Sequence, residues 1–159
     1  MGSVLYWSRR YDESLEYLRK AEEMEPGLVG FTESWVIDDD EMKGLHDEAV
    51  MATLQLFSDL GLKGWQDRLN AAYRSGGRRA FLETSIKFEE SLPDSGCSGY
   101  ATARINVLLG ENDKALEGLN RSLNARCNGL PMIKMDPIFD PLRSDPRFKN
   151  MLERLNLGG

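Results

Sequence analysis

Apolar residues recur along this chain at intervals of three and four, in runs a few helical turns long that are separated by short stretches rich in glycine and proline. Residues 10 to 25 place Leu15, Leu18, Ala21 and Met24 at near-helical spacing with charged residues between them, and Pro26 with Gly27 ends the run. Before it, Val4, Leu5, Tyr6 and Trp7 read as the last turns of another helix, whose first half is expected upstream of Met1. A second pair is predicted at 29–42 and 46–58, turning at Lys43-Gly44. A third spans 63–74 and 78–91 around Ser75-Gly76-Gly77 and is closed by Pro93. The fourth runs from Gly99 to Leu109, turns at Gly110-Glu111-Asn112, and continues from Asp113 to about Arg126. The pattern predicts an all-α protein.

These pairs keep a register. A small residue opens each second helix at Ser14, Ala49, Ala80 and Ala115, with spacings of 35, 31 and 35. The turn glycines at 44, 76 and 110 are 32 and 34 apart. Two landmarks with one period, close to about 34 residues, imply stacked helical repeats, in which each unit buries its apolar face against its neighbours.

Tyr11-Asp12-Glu13-Ser14-Leu15, followed by Leu18, Ala21 and Pro26, resembles the second helix of a tetratricopeptide repeat position by position. Gly44-Leu45-His46-Asp47-Glu48-Ala49 and Gly110-Glu111-Asn112-Asp113-Lys114-Ala115-Leu116 repeat the same turn-and-helix signature. In the third pair Trp65 and Pro93 match, but Phe81 and Phe88 replace small residues, so that repeat is degenerate and its packing angle is expected to change. The resemblance implies an α-solenoid of stacked antiparallel helix pairs, a tetratricopeptide-like superhelix, in a single domain over 1–159. Its parts are a partial repeat at 1–28, repeats at 29–61 and 96–129, the degenerate repeat at 62–95, and a tail at 130–159.

The tail differs in character. Asp136-Pro137, Asp140-Pro141 and Asp145-Pro146 break any long helix, while each Asp is placed to cap a helix that begins with proline. Phe148, Met151, Leu152 and Leu155 then occupy one face of a final helix expected to cap the open end of the stack. The segment 128–142, with Leu130, Met132, Ile133 and Met135, is also long and apolar enough to lie along a groove. This string is similar to the closing segment of bacterial tetratricopeptide arrays attached to winged-helix, adenylate cyclase or Ser/Thr kinase domains.

Composition narrows the function. With 159 residues, 41% hydrophobic and 29% charged, the chain is expected to fold as a soluble domain. A net charge of −6 argues against direct nucleic-acid binding, and the run Arg74, Arg78 and Arg79 is a small counterweight. The longest apolar run is far short of the roughly 20 residues that span a bilayer, and Met1-Gly2-Ser3 opens no signal segment. No membrane insertion is expected, and the location is read as cytoplasmic.

Catalytic chemistry is scarce. His46 is expected to face solvent at the start of its helix. Asp38-Asp39-Asp40-Glu41 lacks the alternation of a calcium loop and reads as a solvated acidic face, with a contact for a basic partner as the other reading. Ser75-Gly76-Gly77-Arg78-Arg79 reads as a turn rather than an anion cradle. Phosphate-loop, nucleophile-elbow and zinc-helix motifs do not occur, so no cofactor or metal is expected. Cys97 and Cys127 lie at ends of the fourth pair that antiparallel helices bring together. A bridge needs α-carbons within about 7 Å, however, and packed helix axes are about 8–10 Å apart, which favours two free thiols.

Ligands of tetratricopeptide arrays lie along the concave face made by the first helix of each pair. The resemblance carries that face onto Asp38 and Glu41, onto Lys63, Gln66, Asn70 and Tyr73, and onto Tyr100 and Arg104. Tyr73 and Tyr100 are read equally as binding or as packing residues. The expected function is a noncatalytic module binding a peptide or protein segment there, as part of a larger bacterial signalling or regulatory protein. The alternative is a self-association or regulatory domain controlling an attached cyclase, kinase or DNA-binding domain, with a homodimer formed through an apolar side at Leu5, Trp7, Leu15 and Leu18. A remote alternative is a metal-assisted enzyme using the acidic cluster and His46.

Overall fold

A computed structural model describes residues 1–25, 27, 29–93 and 96–158, and of Val29 the backbone alone. The closing position Pro26 therefore lies outside the described residues. The chain is all-α, with no strand among the described residues. Its helices are α1 (Gly2–Trp7), α2 (Tyr11–Met24), α3 (Val29–Lys43), α4 (His46–Asp59), α5 (Lys63–Ser91), α6 (Ser98–Leu108), α7 (Asn112–Asn124) and α8 (Pro146–Arg154). Two 3₁₀ segments, Leu130–Lys134 and Pro137–Leu142, precede α8.

Turn chemistry sets the boundaries. Gly44 and Gly110 both sit at φ 76°, a left-handed conformation that costs glycine no side-chain clash. The next amides, Leu45 N–H and Glu111 N–H, then donate back to Asp40 O at 2.9 Å and Asn106 O at 2.8 Å, which satisfies carbonyls that the helix end leaves open. α5 is broken in the same way, since Gly76 (φ −139°) and Gly77 (φ 64°) leave the helical region. The left-handed residue is thus Gly77, not Gly76, and the turns at 44, 77 and 110 are 33 and 33 apart. Left-handed residues also fall between pairs, at Gly61, Gly96 and Arg126.

The chain forms two compact units, Met1–Phe81 and Leu82–Gly159. In the first, α1 packs on α2, α2 on α3 and α3 on α4 around Tyr6, Leu15, Leu18, Val50, Leu54 and Leu69. The small residues at the pair contacts are buried: Ser14 is 0% exposed and donates to Gly2 O at 3.1 Å, and Ala49 is 1% exposed. Trp35 meets the rings of Tyr6 and Trp7 edge-on, with centroids 5.5 and 5.6 Å apart. The apolar side expected to drive a homodimer is largely internal. Leu15 and Leu18 are buried and Leu5 and Trp7 half-buried, because α1 already covers that face of α2.

In the second unit α6 and α7 approach until their backbones touch. A Cβ on Gly99 would stand 2.3 Å from Gly118 O, and one on Gly118 2.6 Å from Gly99 O. That approach explains why the reading of two free thiols is wrong: Cys97 and Cys127 form a disulfide with α-carbons 5.0 Å apart. The ordinary interaxial spacing assumes side chains between the helices, and here the two facing residues, Gly99 and Gly118, have none.

After the disulfide the tail folds onto α6. Leu130, Ile133, Ile138, Phe139 and Leu142 are each at most 4% exposed. Asp136 accepts from Ile138 N–H at 3.1 Å and Asp145 from Arg147 N–H at 2.7 Å, so two of the Asp-Pro pairs act as caps. α8 buries Phe148 and Met151 and packs against α7. Arg147 reaches Asp113 at 2.8 Å and Arg154 reaches Asn120 at 3.2 Å, both 34 residues back. A constant offset along two helices means that α8 runs parallel to α7.

Candidate functional site

The acidic run on α3 is not the solvated face expected of it. Asp39 is fully buried, Asp40 and Glu41 are each 9% exposed, and Asp38 is half-buried. The reason is register: α3 is covered by α2 on one side and α4 on the other, so a short polar run on it cannot avoid the interior. Glu41 Oε2 receives Arg78 Nη2 at 2.6 Å and faces His46 Nδ1 at 2.8 Å. The pair joins α3 to the start of α4 and to the second arm of α5. His46, expected to face solvent, is half-buried against this carboxylate. Arg78 serves the same cluster, and Ser75–Arg79 is a helix-to-helix turn.

Asp39 is different, because neither of its oxygens has a hydrogen-bond partner among the described residues. Burial pushes its carboxyl up to about 7, and the neighbouring Asp38 and Asp40 charges add to the effect. The Ser14 hydroxyl favours the charged form, but its one proton points to Gly2 O. Asp40 is raised as well, again chiefly by burial, with Lys43 opposing.

The other positions expected to form a binding face divide by environment. In the first unit Lys63 is exposed and Asn70 half-buried. Gln66 donates to Leu54 O at 3.1 Å and thereby ties α5 to α4. Tyr73 stands edge-on to Phe81 with centroids 6.2 Å apart and donates to Asp47 Oδ1 at 2.5 Å, a bond that raises the phenol's pKa. In the second unit Tyr100 donates to Asp136 Oδ2 at 3.2 Å and rests against Phe139, while Arg104 lies 3.7 Å from the same carboxylate oxygen. Asp136 is 1% exposed. The tail thus lies over the face of α6 from which Tyr100 and Arg104 project.

Sequence reasoning passed over two features. One is Asp136 itself, which was read only as a helix cap. The other is a cleft of about 470 Å³ between α7 and α8, with Leu116, Pro146 and Met151 in it and Arg154 at its rim. A signal for the cleft was present in the 34-residue offset that pairs Asp113 with Arg147 and Asn120 with Arg154. No group of three or more His, Cys, Asp or Glu side chains is arranged to hold a metal ion among the described residues. No family model, curated protein or solved structure matches the chain.

Proposed function

We propose that this chain is a noncatalytic protein-interaction module made of tetratricopeptide-like helix pairs, which binds a peptide or protein segment and works within a larger bacterial signalling or regulatory protein. The observation that carries the reading is the repeated turn. Left-handed glycines at 44, 77 and 110 each join two helices, and a small residue opens the helix that follows at Ala49, Ala80 and Ala115. A fold assembled from repeated pairs presents serially arranged side chains, which suits recognition of a segment better than enclosure of a substrate. The clustered polar groups support the same reading. Glu41, His46 and Arg78 tie helices together, and so do Tyr100, Arg104 and Asp136.

The contact surface we assign in the first unit centres on Lys63, Asn70 and Tyr73, of which Lys63 is exposed and the other two are partly exposed on one arm of α5. Tyrosine supplies contact area at low entropic cost, and it is enriched where partners bind. A protein partner is favoured over nucleic acid by the net charge of −6. No helix among the described residues is long and apolar enough to cross a membrane. On location the disulfide speaks against the reducing cytoplasm, since such bridges persist in oxidising compartments.

A photo-crosslinking residue at position 70 tests the assignment, with the exposed position 87 in the other unit as control. Adducts from cells that form at 70, fail at 87, and disappear when unlabelled module is added are the expected result. Equal labelling from both positions, or none from either, would sink the proposal.

A further inference from the structure

Charge is shared unevenly along this chain. Residues 11–59, which hold α2, α3 and α4, contain 14 Asp and Glu against 3 Lys and Arg, a formal −11 within a protein of net charge −6. Part of the excess is taken up by ion pairs, Glu13 with Arg10, Glu16 with Lys20, Asp12 with Lys43 and Glu41 with Arg78. Among the carboxylates left over, Glu22, Glu23, Glu25, Glu33 and Asp59 lie where α2 ends, α3 begins and α4 ends. Neither α2 nor α4 has a basic residue in its last turn. A helix dipole makes that end negative and favours a cation there, so carboxylates at both ends work against the stability of their own helices.

These ends are neighbours. A Cβ on Gly30, at the start of α3, would stand 3.9 Å from Leu60 Cδ2 at the end of α4. The Glu33 carboxyl is raised by burial first, and then by the charges of Glu22, Asp59 and Asp40, so every charge that acts on it is negative. Asp40 is 9% exposed, and its side chain has no hydrogen bond among the described residues. Lys43 and Arg19 act on Asp40 from one side, but Glu48 and Glu41 oppose them. One carboxylate oxygen of Glu22 is buried without a partner among the described residues, and Asp59 receives the neutral Gln55 amide at 2.8 Å. At the same ends Met24, Phe31 and Leu60 are each more than half exposed. Apolar side chains set among uncompensated carboxylates form a surface whose field draws cations and whose apolar area is covered when a partner binds.

Resting on the interaction-module reading, we propose that this end of the first unit docks a basic segment of a partner protein. An apolar side chain of the segment covers Phe31 and Leu60, and Lys or Arg side chains beside it pair with Glu22, Glu33 and Asp59. Cations brought among like charges relieve their mutual repulsion and give the carboxylates charge-assisted hydrogen bonds that no residue of the chain supplies. An acidic segment is repelled. A basic one without the apolar side chain gains exposed ion pairs alone, each worth little.

Short capped peptides with one Leu flanked by lysines, serines or glutamates, and a lysine peptide with Ser in place of Leu, are titrated against the full chain by fluorescence anisotropy. The lysine-flanked Leu peptide should bind at least about tenfold tighter than the serine-flanked one and than the Leu-free one, and added salt should narrow the first gap. Glu22→Gln combined with Glu33→Gln should weaken it about tenfold while the helical circular dichroism is kept, because the exchange preserves side-chain size and removes like-charge repulsion. Glu48→Gln combined with Glu117→Gln takes the same charge from exposed positions at the start of α4 and in the other unit, and should shift the affinity by less than about twofold. Phe31→Ser, at an exposed position, should weaken the lysine-flanked Leu peptide and leave the Leu-free one unchanged. Equal binding of lysine and glutamate peptides, equal loss in the two charge-removing variants, or no binding of any peptide overturns the proposal. A specific adduct at position 70 under any of those outcomes leaves the interaction-module reading standing and removes only this surface.

Discussion

Replacing Asp39 by Asn should stabilise the first unit, and by an amount that grows with pH. The carboxyl is fully buried, lacks a hydrogen bond among the described residues, and titrates near 7 in the folded chain against an ordinary value of 3.8. A folded-state pKa above the unfolded one means that the folded state holds its proton more tightly. The resulting stability is fully present below pH 3.8 and is lost as pH rises through about 7. At about 1.4 kcal/mol per pH unit, the separation between 3.8 and about 7 corresponds to roughly 4 kcal/mol lost by the alkaline end. Between about pH 5 and pH 8 the share lost is about 2–3 kcal/mol. Asn keeps the size and removes the proton equilibrium, so the difference in unfolding free energy between variant and wild type should rise by that amount over the same interval. Asp38 and Asp40 on α3, Ser14 on α2 and Lys43 at the end of α3 are present in both proteins, and their own titration largely cancels in the difference. Urea unfolding followed by circular dichroism at the two pH values provides the test. A variant less stable than wild type at about pH 8, or a difference that does not change with pH, would refute the reasoning.

Gly99→Ala or Gly118→Ala should cost about 1–3 kcal/mol or more in thermal unfolding, because the new Cβ meets backbone at 2.3 or 2.6 Å and no side chain can move aside. Reducing the Cys97–Cys127 bridge, which closes a separation of 30 residues, should lower stability by about 3–4 kcal/mol in the chain-entropy account, read as a shift of the urea midpoint with and without thiol reductant. Free-thiol alkylation of the unreduced protein should label neither cysteine. Arg78→Ala should destabilise by about 2–3 kcal/mol by taking the guanidinium from the buried Glu41, which keeps His46 beside it, and Glu41→Gln in the same background should recover much of the loss in a double-mutant cycle.

The helices were legible because turns announce themselves. Gly44, Gly110 and the Gly76-Gly77 pair mark where the backbone must become left-handed, and apolar spacing fills the intervals between them. Burial was less legible. Asp38 to Glu41 looked solvated because charge ordinarily predicts exposure, but packing on both sides of α3 decides the matter, and no local pattern reports it. The disulfide was missed for a related reason. Two glycines nineteen residues apart give no sign that they face one another, yet Gly99 against Gly118 is what brings the cysteines within reach. Of the positions expected to form a binding face, Tyr100 and Arg104 illustrate the remaining gap. Their helix could be read from spacing, but the Asp136 carboxylate that engages them comes from a tail whose path depends on where its apolar residues find cover.

The parallel run of α8 along α7 at an offset of 34 residues bears on how such a protein can be lengthened. The segment Pro137–Leu142 lies on α6, while Leu130–Lys134 and α8 lie on α7, so both helices of this pair carry a cover supplied by the tail. Helices inserted ahead of Leu130 would take that cover away from α6 and α7 and would have to offer the tail an equivalent surface of their own.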